Sequence, residues 1–201
     1  MSERNIKVNK KKIKIIIILI IIIIIMLLII SKITNKKDSK NVVKNYIEKK
    51  GFSQVEKSNI YSKIISNTTL DEYFENTENN IATEYQVLYF NLSDYKLSKT
   101  YMEYKDNVYR YYTPTYDYKT NTIEYEYEIS IEDGYINLTG SYNVKSKKIT
   151  CNIGNSKNIN TNSENLKEAI CNKILYNTKD FGIEALELMS NSTVINKLQS
   201  K

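Results

Sequence analysis

Residues 122–144 read TIEYEYEISIEDGYINLTGSYNV. Ile123, Tyr125, Tyr127, Ile129 and Ile131 alternate with Glu124, Glu126, Glu128, Ser130 and Glu132. Successive strand residues point to opposite faces, so one side of this strand is core and the other is solvent. Asp133-Gly134 is a hairpin turn signal, and the return run puts Ile136, Leu138, Gly140, Tyr142 and Val144 on the same side. The chain turns again over 145–148 into Ile149, Cys151 and Ile153. Three consecutive antiparallel strands follow.

Upstream, residues 84–90 are apolar on both faces, Tyr85, Val87 and Tyr89 against Leu88 and Phe90, as a central strand requires. The Tyr-rich segments 95–104 and 107–113 read as further strands, and Pro114 opens a loop to Asn121 where pairing should stop. The sheet then has about five or six strands over 84–153. Residues 53–65 fit a helix and a strand pair equally well, while 67–80 suggests a short helix followed by a loop. A helix over 39–50, capped by Asp38 or Ser39, carries Val42, Val43, Tyr46 and Ile47 as its apolar stripe. Gly51 stops it and Phe52 closes the cap.

Downstream, Gly154 to Asn162 is a polar loop. Ser163 caps a helix over 163–177 with Leu166, Ile170, Ile174 and Leu175 toward the sheet. Asp180 starts a last helix over 181–190, and the tail from Asn191 frays. The expected class is α+β, an antiparallel Tyr-rich sheet with helices against one face.

The longest apolar run lies elsewhere. Residues 15–30 contain no charge, glycine or proline. Taken from Ile13 to Ile33 the segment is long enough to span a bilayer, with Lys14 and Lys32 reaching the headgroups. No small-residue cleavage site follows, so the segment reads as an uncleaved signal-anchor. Arg4, Lys7, Lys10, Lys11, Lys12 and Lys14 face only Glu3, which holds the N-terminus in the cytoplasm and exports the rest. The expected organisation is a basic cytoplasmic tail 1–14, a transmembrane helix 15–33, a connector 34–37 and an extracytoplasmic domain 38–201.

The net charge of +6 is concentrated in that tail, whose six cations against Glu3 leave +1 for residues 31–201. A nucleic-acid partner is therefore not expected. There is no histidine, which removes the usual general base, the commonest metal ligand and every Ser-His or Cys-His nucleophile. Neither a phosphate-binding glycine motif nor a Cys-x-x-Cys pair occurs. No catalytic residue, cofactor or metal is assigned.

Three constellations remain. Cys151 on the core side of its strand and Cys171 on the helix flank could form a disulfide in an exported domain. Glu124, Glu126 and Glu128 lie on one strand face, an arrangement that any half-buried strand displays. Twelve tyrosines fall between Tyr85 and Tyr127, although AT-rich codon usage and strand propensity explain most of them. Arg110 is the only arginine outside the tail and stands within Tyr109-Arg110-Tyr111, a candidate recognition patch for an anionic partner. The expectation is a single-pass, membrane-anchored, non-catalytic protein whose extracytoplasmic domain binds another cell-envelope component, protein or polymer. Alternatives are an accessory subunit of a larger membrane assembly and, less economically, a carboxylate-dependent hydrolase.

Overall fold

A computed structural model describes residues 39–159 and 164–199. The expected tail 1–14, transmembrane helix 15–33 and connector 34–37 lie outside the described residues, as do the expected caps Asp38 and Ser163. Among the described residues no helix is long and apolar enough to cross a membrane. The chain divides into two compact units, Met1–Val42 and Val43–Lys201. Of the first, the described residues 39–42 are helical. The second is an α+β domain built on one antiparallel sheet.

Eight strands pair only with their neighbours in sequence. They are β1 (Ser53–Gln54), β2 (Ile60–Ile64), β3 (Thr83–Asn91), β4 (Lys96–Lys105), β5 (Val108–Asp117), β6 (Thr122–Ile131), β7 (Gly134–Asn143) and β8 (Ile149–Lys157). Six of them, β3 to β8, fill the region 84–153 where five or six strands are expected, and the other two arise because 53–65 resolves into β1 and β2. The β4–β5 connection is a two-residue loop, Asp106-Asn107, with φ of 56° and 60°, the left-handed pair that a tight hairpin demands. β8 continues through Gly154 to Lys157, where a loop was expected, with a register shift between the pairs at Ile136 and Leu138.

Pro114 does not end a strand. It lies inside β5, paired opposite Tyr125 of β6. Toward β4 the pairing is interrupted between Ser98↔Thr115 and Tyr101↔Tyr112, and the register is the same on both sides of the gap. A proline lacks the N–H that would bond one neighbour, so only one of its two ladders suffers.

The helices are α1 (39–49), α2 (Leu70–Glu78), α3 (Glu164–Leu188) and α4 (Ser192–Gln199). α1 ends at Gly51, φ +87°, where Phe52 N–H donates to Ile47 C=O and Gly51 N–H to Glu48 C=O. Ile47 and Phe52 share the core, the apolar contact that accompanies this kind of cap. α2 starts at a capping box formed by Thr69 and Glu72. The Thr69 hydrogen bonds hold the Glu72 carboxyl below its ordinary pKa.

The expected helices 163–177 and 181–190 are one helix, α3. Asp180 looks like a cap in sequence, but Thr178 just before it is fully buried and its hydroxyl donates to Ile174 C=O. Tertiary packing overrides the local signal. The tail from Asn191 also differs from expectation. Asn191 accepts from Thr193 and Val194 N–H and caps α4, whose Val194 and Leu198 are buried in the core.

Both faces of the sheet are used. On one, Leu88, Phe90, Leu97, Tyr116 and Ile123 pack with Val43 and Ile47 of α1, Phe181 and Ala185 of α3, and α4. This cluster continues along α3 through Ile174, which packs against Tyr112, Tyr125, Tyr127, Ile136 and Leu138. On the other face, α2 places Tyr73 over Tyr85, Val87 and Tyr104. The helices therefore do not all lie against one face. Buried tyrosines need a partner for the hydroxyl: Tyr118 donates to Ala185 C=O, Tyr125 to Thr150 C=O and Tyr116 to Asn121 Oδ1.

Candidate binding cleft

A cleft of about 640 Å³ opens between α3 and the sheet face it covers. Its floor is set by strand alternation. Lys99, Tyr101 and Glu103 of β4 point the same way, as do Arg110 and Tyr112 of β5 and Tyr127 and Ile129 of β6. Its wall is one face of α3, with Lys173, Asn177, Asp180, Phe181 and Glu184 at helical spacing. Gln86 of β3 completes the rim.

Two ion pairs line this space, one along its floor and one from floor to wall. Arg110 Nη1 donates to Glu103 Oε2 at 2.9 Å, its directly opposite neighbour in the ladder. Lys99 Nζ donates to Glu184 Oε2 at 3.1 Å and ties β4 to α3. Tyr112 and Thr178 hydroxyls lie 2.7 Å apart. Because Thr178 gives its proton to Ile174 C=O, Tyr112 is the donor between them.

The other two phenols differ. Tyr101 and Tyr127 make no hydrogen bond through their hydroxyls among the described residues. Tyr127 is only 8% exposed. Burial, then the Glu103 and Glu84 carboxylates, pushes the Tyr101 phenol up to about 12, against a small opposing effect of Arg110. Burial likewise raises Tyr112 and Tyr127. All three are therefore neutral near pH 7, so the cleft offers phenol O–H groups rather than phenolates.

The candidate patch of the sequence is divided by the pleat. Arg110 faces the cleft, whereas Tyr109 and Tyr111 point to the opposite face and are 44% and 40% exposed. Glu124, Glu126 and Glu128 also lie on that opposite face. Cys151 of β8 and Cys171 of α3 are joined, Sγ to Sγ 2.03 Å, across 20 residues. Among the described residues no group of three His, Cys, Asp or Glu side chains is placed to hold a metal ion.

The cleft is not evident from the sequence, although one signal for it is present. Period-2 alternation separates Arg110 from Tyr109 and Tyr111 and groups it with Tyr112. The α3 wall carried no such signal, since it required knowing which strands the helix crosses. Comparison with protein-family models, with curated proteins and with solved structures found no match to this chain.

Proposed function

We propose that this chain is a single-pass, membrane-anchored protein whose extracytoplasmic domain binds another component of the cell envelope, protein or polymer, without catalysis. The cleft between α3 and the sheet is its binding site. One observation carries the reading: a cleft of about 640 Å³, in the range of ligand sites, lined by aromatic rings and by phenol hydroxyls that the chain itself leaves without partners. Membrane attachment is supported by the apolar run 15–30, and export by the six cations that precede it. The Cys151–Cys171 pair suits an oxidising compartment. The absence of histidine from the whole sequence favours binding over chemistry.

The placement is tested on intact cells that carry the full chain. After mild reduction, a membrane-impermeant thiol reagent should label Cys151 and Cys171, because both lie in the exported domain. Labelling seen only after lysis would put the domain inside and end this reading.

A further inference from the structure

The charges lining the cleft are balanced and unevenly used. Lys99, Arg110 and Lys173 stand against Glu103, Asp180 and Glu184, three of each sign. Two pairs close on themselves, Arg110 with Glu103 and Lys99 with Glu184. Lys173 and Asp180 are left without an ion partner among the described residues, although the Lys173 ammonium lies 6.0 Å from the Tyr176 ring centre. Both belong to the same wall, seven residues apart, which is about 10 Å along a helix at ~1.5 Å per residue. The floor of the same cleft includes Tyr127, more than nine-tenths buried, its hydroxyl without a partner among the described residues.

From this we infer that the ligand of the cleft is a short zwitterionic peptide. Its ammonium group meets Asp180 and its carboxylate meets Lys173. Its backbone amides meet the Tyr127 and Tyr101 hydroxyls.

Electrostatics and length both select this class. A polyanion would meet three carboxylates and a polycation three cations, whereas a ligand bearing one charge of each sign is attracted at both ends. An extended chain covers at most about 3.5 Å per residue, so roughly three residues match the ~10 Å of helix rise that separates positions 173 and 180. Phenol O–H groups donate well to amide carbonyls, which such a backbone supplies. This inference rests on the cleft being the binding site.

Titration calorimetry of the full chain tests it with four probes: trialanine, its N-acetylated form, its C-terminal amide, and maltotriose as a neutral sugar of similar length. Trialanine should bind, and blocking either terminus should weaken it about fivefold, the loss of one partly exposed charge pair. Asp180→Asn should weaken trialanine by the same factor while leaving the acetylated peptide unchanged. Lys173→Gln should do the same with respect to the amide. Both positions are exposed, so neither variant should alter the unfolding midpoint. Equal binding of free and blocked peptides would overturn the zwitterion assignment. Binding of maltotriose without trialanine would overturn it as well, yet leave the cleft as the binding site. Binding of no probe overturns the inference, and the proposed function is then judged separately by crosslinking from Tyr101 in cells.

Discussion

Gly140→Ala gives a test whose sign depends on the sheet arrangement. Gly140 is the β7 residue between Tyr125 of β6 and Cys151 of β8. The Tyr125 ring lies over it, and the phenol passes across β7 to donate to Thr150 C=O at 2.9 Å. A Cβ on Gly140 would collide with that carbonyl oxygen and with the Tyr125 hydroxyl. The oxygen is backbone, so relief requires β7 and β8 to separate locally. Overpacking of this kind costs about 1–3 kcal/mol. Disturbing the buried Tyr125 hydrogen bond adds about 1 kcal/mol. Against this, alanine reduces the freedom of the unfolded chain, a gain of roughly 0.4–1 kcal/mol. The net expectation is a destabilisation of about 1–3.5 kcal/mol, centred on ~2.3 kcal/mol. Urea unfolding followed by circular dichroism should show a lower midpoint with an unchanged slope. The thermal midpoint should fall by about 5–10 °C for a chain of this size. Unchanged or increased stability would show that Tyr125 does not lie over Gly140 and would refute the β6–β7–β8 register.

Three further outcomes are expected. Reducing the Cys151–Cys171 bond, or Cys171→Ser, should remove about 3 kcal/mol on the loop-entropy model for a 20-residue separation, read as a lower thermal midpoint; equal midpoints with and without reductant would count against the pairing. The folded-state pKa of Tyr101, about 12, lies above the unfolded value near 10, so its contribution is complete below pH ~10 and declines as pH rises toward 12, with buried Tyr112, Tyr118 and Tyr127 shifted the same way. Stability should therefore fall with the rise of phenolate absorbance, and a flat profile across that window would contradict the burial of these phenols. Gly51→Ala should cost about 1–2 kcal/mol because φ of +87° strains any side chain, and chemical denaturation showing no loss would dispute the helix stop.

The strands were legible where burial is one-sided. In 122–130 the alternation of Ile and Tyr with Glu gave the facing of β6 correctly, since nothing competes with a period of two, whereas Ile131, expected in the core, is exposed at the strand end. β1 and β2 were undecided because Ile60, Ile64 and Ile65 are exposed while Tyr61 is buried, so apolar character does not mark the inward face there. Pro114 misled because a proline blocks only the ladder on its N–H side, and sequence does not say which side that is. The break assigned before Asp180 failed because Thr178 satisfies its hydroxyl inside α3 and against Tyr112. The cleft depends on this continuous helix, which carries Lys173 and Glu184 on a single wall. Its floor could be read from alternation once β4, β5 and β6 were strands. Its wall needed the tertiary crossing of α3.

The binding role of the cleft is tested most directly by photo-crosslinking in living cells that carry the full chain. A photoreactive phenylalanine replaces Tyr101 on the cleft floor in one variant and Glu126 on the opposite sheet face in another. Irradiation should give a discrete adduct from position 101 and none from 126, and the Asp180→Asn and Lys173→Gln changes should diminish it. An adduct from 126 alone would move the binding surface to the other side of the sheet, and none from either would contradict a binding role for this domain.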